Sequence, residues 1–258
     1  MLAAVSAITA EAGALALARW QDDFGRWEKS PGQMVSDVDL EVDALLRERL
    51  MALDPTAGWL SEETADNTDR LACARLWVVD PIDGTRDYLR KRPGWAVSVA
   101  LIEHGVPIIG VLDAPARGEH WRAAAGSGAY RGDTPMKVGL RTDFAGSRVP
   151  ADNLPKTDSA LVMVAKPNSI ALRIAMVAAD EADLVATLRW GYEWDIAAAA
   201  LIAAEAGAMV SDAFGHPLAF NTPSAQAFGV LASVPGIHAA AVDKLAERAN
   251  ALVGAGKA

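Results

Sequence analysis

Cysteine is almost absent. The single thiol, Cys73, cannot close an intrachain disulfide, so the fold must rest on its core and nothing calls for an oxidising compartment. Cys73 itself is expected as a small buried hydrophobe. Positive charge is also scarce: 24 Lys and Arg face 33 Asp and Glu, a net charge of −9, with no basic stripe. A polymeric nucleic acid is therefore a poor partner, because affinity for a phosphate backbone rests on clustered cations. Histidines are few; His104, His120, His216 and His238 show no ligand spacing, which argues against a His-based metal site. No apolar run approaches the roughly 20 residues needed to cross a bilayer, so no membrane partner is expected. The Ala-rich stretch from Met1 to Arg19 carries Glu11 and lacks a basic leader, and it reads as a helix rather than a signal peptide. The expected location is the cytoplasm.

What is present is enough for a substantial core. The chain has 258 residues, one or two domains' worth. Val5, Ile8, Ala12, Leu15 and Ala18 share one face of a first helix, and Val42, Leu45, Leu46, Leu50 and Leu53 predict a second over about 38–53. Asp37 and Asp39 stand at the start of the second helix, where carboxylates are favoured. The run Leu76–Val79 predicts a strand. Residues 96–102 and 106–112 around His104-Gly105 predict a hairpin, with shorter strands near 118–124 and 128–131. After about residue 140 strand and helix alternate: a buried strand at Leu161–Ala165, a helix at 170–179, a strand at 182–187, an Ala-rich helix at 195–205, a strand at 228–231 and a last helix at 236–252. The expected class is α/β, with an α+β half over 1–138 and a smaller α/β half over 139–258.

The most informative segment is Asp80-Pro81-Ile82-Asp83-Gly84-Thr85. A hydrophobic strand delivers two carboxylates three residues apart at its C-terminal end. Pro81 keeps Asp80 extended, and Gly84 permits close backbone approach to a ligand. A helical turn starting at Gly84-Thr85 would offer free N–H groups to a phosphate. Ser61-Glu62-Glu63 follows another loop, and Trp194-Asp195 opens the Ala-rich helix. Carboxylates gathered within about 5 Å repel by roughly 3 kcal/mol per pair at an effective dielectric of 20.

Taken in order, Val35-Ser36-Asp37-Val38-Asp39, Ser61-Glu62-Glu63, Asp80-Pro81-Ile82-Asp83-Gly84-Thr85, and Trp194-Asp195 with Glu205-Ala206-Gly207 resemble the inositol monophosphatase family over about residues 29–230. The resemblance implies a layered αβαβα sugar-phosphatase fold, a lithium-sensitive, magnesium-dependent phosphomonoesterase, a small phosphorylated metabolite as partner, and a homodimer. It implies two to three ions, without which a cluster of Glu62, Asp80, Asp83 and Asp195 would be untenable, and all-oxygen ligands suit Mg²⁺ or Mn²⁺. Glu62, Asp80 and the carbonyl of Ile82 would hold one; Asp80, Asp83 and Asp195 a second; a third would sit near Glu62. Thr85, hydrogen-bonded to Asp39, would orient and deprotonate the attacking water, with Glu62 also catalytic, and the Gly84 and Thr85 N–H groups would bind phosphate.

For the substrate, inositol-specific members carry a carboxylate seven residues before the Trp-Asp aspartate; here that position is Leu188, which accepts no hydrogen bond. Glu193-Trp194-Asp195 resembles the 3′(2′),5′-bisphosphate nucleotidases, in which Asp83, Glu193, Asp195 and a cation at Arg173 would contact substrate. Ser169 and Ile170 depart from that branch's pattern, and Ser61 replaces its usual glycine. Arg86 after Thr85 also occurs in histidinol-phosphatase-like members, which keeps that ester and inositol phosphate as alternatives. A rival of another class is a binding protein that keeps the fold without turnover. Trp190 and Tyr192 are expected in the core, and Gly126-x-Gly128 as a turn.

Overall fold

Nearly continuous apolar runs in the first half of the chain build one sheet with helices on both faces. The computed structural model describes residues 1–255. Helix α1 (Leu2–Arg19) leads into a hairpin, β1 (Arg26–Ser30) and β2 (Gln33–Ser36), and then α2 (Asp37–Leu53). A seven-stranded sheet follows in sequential order: β3 (Gly58–Ser61), β4 (Arg75–Asp83), β5 (Ala96–Glu103), β6 (Val106–Ala114), β7 (Glu119–Ala124), β8 (Ala129–Arg131) and β9 (Thr134–Pro135). Only β3 and β4 pair in parallel; the other neighbours are antiparallel. A five-residue helix, α3 (Thr85–Leu89), begins just past the end of β4. His104 and Gly105, with φ of 49° and 80°, close the predicted hairpin between β5 and β6.

Both faces of the sheet are buried, which is why its strands read as nearly continuous apolar runs. Trp77, Val79, Val99 and Val111 pack against α1 and α2. Leu76, Val78, Ala100 and Leu112 face the other way, onto α4 (Ile170–Ala178) and α5 (Glu193–Glu205). Beyond those helices lies a three-stranded antiparallel sheet in the order β12 (Leu184–Ala186), β16 (Leu231–Ser233), β14 (Met209–Ser211), covered by α6 (His238–Ala255). Two short pairs complete the half: β10 (Arg148–Pro150) with β11 (Val162–Val164), parallel, and β13 (Trp190–Tyr192) with β15 (Gln226–Phe228), antiparallel. The layers are helix, sheet, helix, sheet, helix, the expected α/β architecture.

Four expectations change. The strand at Leu161–Ala165 is the three-residue β11, and Val162 and Met163 are about half exposed, because only β10 pairs with it. Trp190 is 56% exposed, touching Phe228 edge-on, while Tyr192 stacks on Trp194 with ring centroids 4.4 Å apart. Cys73 is half-buried at the end of a short 3₁₀ turn. Helix α1 has a mean hydropathy of 1.4, enough by length and composition for a membrane span. In this fold its Val5, Ala12 and Ala16 are fully buried against the sheet and α2. Gly126 and Gly128 do form a turn; both have positive φ, and both N–H groups donate to the Glu205 carboxylate at 2.8 Å.

The alanines of α5 explain the closeness of the two halves. Ala197, Ala198, Ala199 and Ala200 are all buried, so the helix lies directly on the sheet at Gly110. A Cβ at Gly110 would come within 2.5 Å of the Ala198 carbonyl oxygen, which is backbone and cannot rotate away. Gly110→Ala is therefore expected to destabilise the fold by about 1–3 kcal/mol, measured by urea unfolding. An unchanged midpoint would count against this tight packing.

Candidate active site

Strand β4 ends in an irregularity that gives two aspartates one destination. Asp80 pairs with Ser98 and Asp83 with Ala96, so three steps along β4 match two along β5. The extra residue is a bulge around Pro81-Ile82, where proline has no N–H to give the ladder. In a regular strand Asp80 and Asp83 would face opposite sides; here both line one cavity of about 550 Å³. Asp80 also accepts from the Ile82 N–H at 3.0 Å. Gly84 then turns the chain with φ of 96°. A Cβ there would meet the Gly94 carbonyl at 2.7 Å and the Ser169 nitrogen at 2.8 Å. The closeness that glycine permits is thus to neighbouring backbone.

Helix N-termini hold the other carboxylates. Ser36 caps α2, and Asp39, three residues on, accepts from the Ser36 N–H at 2.9 Å and the Ser36 hydroxyl at 2.5 Å. Asp195 occupies the same third position in α5 and accepts from the Tyr192 N–H at 3.4 Å. Asp83 lies against the start of α4: it accepts from the Ser169 hydroxyl at 2.5 Å and the Ala171 N–H at 2.8 Å, and Ser169 in turn caps that helix at Leu172. Strand β3 ends at Ser61, whose hydroxyl donates to Asp43 at 2.5 Å, and places Glu62 beside the end of β4 through its N–H to the Val79 carbonyl at 3.2 Å.

Glu62, Asp80 and Asp195 converge, each offering an oxygen within 4.8 Å of the others. Their surroundings make shared charge costly. Burial pushes Asp80 well above the usual carboxylate range, and the charges of Glu62, Asp83 and Asp195 push it further. Burial, then Asp83 and Glu62, raises Asp195 to about 8. Burial raises Asp83 to about 6 against the opposing hydrogen bonds from Ser169 and Ala171. Asp39 is likewise lifted by burial to about 6. A hard cation with oxygen ligands fits this donor set. The cavity also holds cations. Arg86, Lys166, Arg173 and Arg189 all line it.

Several expected placements differ. Thr85 does not bond Asp39: its hydroxyl donates to the Ile82 carbonyl at 3.1 Å, while the Asp39 carboxylate is committed to capping α2. Glu193 does not line the cavity. It is fully buried and accepts from Asn221 N–H, Thr222 N–H and the Thr222 hydroxyl at 2.6–2.8 Å, fixing a turn. Arg173 does line the cavity, but its guanidinium donates to the carbonyls of Pro167, at 2.9 Å, and Asn168. Leu188 packs among apolar side chains of the outer sheet layer and α6. Three residues were not foreseen. Lys29 bridges Glu62 at 2.9 Å and Glu63 at 2.7 Å; Lys166 and Arg189 belong to none of the motifs, and only the fold brings them here.

The profile of the inositol monophosphatase family matches residues 1–255. Over 221 residues the chain is 34% identical to the inositol-1-monophosphatase of Rhizobium meliloti, covering 75% of this chain and 79% of the relative. It is 31% identical to the 3′(2′),5′-bisphosphate nucleotidase CysQ of Escherichia coli over 202 residues, 75% and 82% of the two chains. The crystal structure of the extragenic suppressor protein suhB from Bartonella henselae superposes with a TM-score of 0.78 at 26% identity, covering 93% of this chain and 95% of that one.

Carboxyls whose pKa is raised by folding bind more protons folded than unfolded, so they oppose folding increasingly as pH rises through the folded values. With Asp83 and Asp39 near 6 and Asp195 near 8, against an ordinary value of 3.8, metal-free protein should lose stability from about pH 4 to pH 8.5. Added Mg²⁺ should restore stability and release protons at neutral pH. Unfolding midpoints in EDTA and in Mg²⁺, with titration in weakly buffered solution, check both; equal midpoints across the range would contradict this account of the cluster.

Proposed function

The chain belongs to the inositol monophosphatase family and is a phosphoric monoester hydrolase, and on that premise we propose that it hydrolyses, with Mg²⁺, a small ester whose leaving group carries further negative charge. A 3′(2′),5′-bisphosphate nucleotide is the first choice. The observation that carries this reading is a cavity lined by both signs of charge, with buried or half-buried carboxylates and four mostly exposed cationic side chains.

Glu62, Asp80 and Asp195 would hold the metal, with Asp83 and the Ile82 carbonyl beside them; two to three ions are the proposal. When bound, Mg²⁺ supplies the positive charge that acidifies an attacking water and steadies the leaving oxygen. The residues of the chain do the rest. Asp83 is aimed by Ser169 and the first turn of α4, and Asp195 by its place in the first turn of α5. The Thr85 hydroxyl, held on the Ile82 carbonyl, lines the cavity, and the Gly84 and Thr85 N–H groups begin α3 without intrahelical acceptors. Arg173, pinned by two carbonyls, and Arg189, which makes no ion pair among the described residues, present fixed positive charge to a second anionic group. Leu188, turned into an apolar cluster, offers nothing to the hydroxyls of an inositol ring.

Phosphate release from a bisphosphate nucleotide, inositol 1-phosphate, fructose 1,6-bisphosphate and histidinol phosphate, with and without Li⁺, tests the reading. The nucleotide should be fastest and Li⁺ inhibitory; if the nucleotide is slowest, the substrate assignment fails. Arg189→Gln should raise KM for the bisphosphate by about tenfold while leaving kcat nearly unchanged, the signature of lost uniform binding. Asp195→Asn should lower kcat by roughly a hundredfold or more. The same variant should raise the unfolding midpoint of the metal-free protein at pH 8.5, since one of the crowded charges is gone. Full turnover by Asp195→Asn would remove it from the metal site.

A further inference from the structure

A second cavity, of about 470 Å³, lies beside the catalytic one, and Lys166 and Asn168 line both. On its side of that shared wall four cations, Arg90, Arg92, Arg117 and Lys166, meet three carboxylates, Asp87, Asp152 and Glu181. The carboxylates are already engaged. Asp87 accepts from the Asn168 N–H at 3.0 Å, Asp152 from Lys166 at 2.5 Å, and Glu181 from Arg131 at 2.6 Å. Arg117 is paired with Glu119 at 2.7 Å. Arg90 and Arg92 make no ion pair among the described residues, yet both line the cavity while Lys91 between them does not. The left-handed φ of 55° at Lys91 marks the bend in that loop.

The wall is built before any ligand arrives. Gly94 accepts from the Ser169 N–H at 2.9 Å, and a Cβ on Gly94 would come within 2.0 Å of the Asp87 carboxylate and 3.0 Å of the Asn168 nitrogen. Glycine here lets the segment after α3 lie flush on Pro167-Asn168, so the cavity needs little ordering to bind. Two guanidinium groups with no hydrogen-bond partner among the described residues leave this concave site more cationic than anionic, on a protein of net charge −9. Planar guanidinium forks match tetrahedral oxyanions bidentately. We propose that this cavity is a second oxyanion site, separate from the place of hydrolysis, which takes the phosphate group of a small molecule, free or esterified. It does not depend on which ester the catalytic cavity cleaves.

Equilibrium dialysis of inorganic phosphate against the full chain in EDTA tests it. In EDTA no divalent cation recruits phosphate to the catalytic carboxylates, and Arg189→Gln distinguishes uptake by the cations of that cavity from uptake by the second. Wild type should bind about one phosphate per chain, and Arg90→Gln with Arg92→Gln should weaken binding about tenfold or more with an unchanged unfolding midpoint. Arg189→Gln, on the catalytic cavity, should retain it. Competition by glycerol 3-phosphate as effective as by phosphate identifies an esterified ligand, and competition by phosphate alone identifies the free ion. No uptake by wild type overturns the proposal, as does uptake that survives the double substitution, whether or not Arg189→Gln abolishes it.

Discussion

Like charge gathered in a place with little water governs this structure. Three carboxylates within 4.8 Å of one another, with Asp83 and Asp39 near enough to raise the charge burden, are a destabilising assembly in the absence of a cation. Each pair at such separations costs on the order of 3 kcal/mol at an effective dielectric of 20, and the net stability of a domain is only about 5–15 kcal/mol. The remainder of the chain must therefore overdetermine the site. It does so with a sheet whose two faces are both buried and with helices packed so closely that Gly110 admits no side chain against Ala198.

Helix starts are the second device. Asp39 and Asp195 each sit three residues past the cap of a helix, and Asp83 receives a hydroxyl and an N–H from the beginning of a third. The N-terminal ends of α2, α4 and α5 thus supply partial positive charge to three of the carboxylates. This offsets part of the repulsion without neutralising it, which leaves the centre receptive to a dication. Lys29 adds a full charge at the rim, shared between Glu62 and Glu63.

Much of this was legible in the sequence, for identifiable reasons. The apolar run into Asp80-Pro81-Ile82-Asp83-Gly84-Thr85 announced a strand ending at a site, because proline and glycine limit what the backbone can do there. The α/β class followed from periodicity, and its layered arrangement from the family resemblance. What local pattern could not show was competition for hydrogen bonds. Asp39 is spent on Ser36, so Thr85 turns to the Ile82 carbonyl; Glu193 is consumed by a turn at Asn221-Thr222. Trp190 was expected inside on composition, but β13 has a single partner strand and leaves the ring at the surface. Lys166 and Arg189 carry no motif, and only the folded chain brings them to the cavity.

The division of labour between the halves follows from the same constraint. Glu62, Asp80 and Asp83 come from strand ends of the large sheet, whereas Ser169, Arg173, Arg189 and Asp195 come from the later helices and the ribbon beside them. Neither group makes a site by itself. The sheet supplies carboxylates with nothing to orient Asp83, and the later half supplies cations and a helix cap with only one carboxylate. Because Ser169 holds Asp83 and also hydrogen-bonds to Gly94, the interface between the halves runs through the site itself. A change in packing at α4 or α5 must therefore be felt at the carboxylates, and this explains why so large a share of the Ala-rich helix is buried against the sheet rather than spaced from it by bulkier side chains.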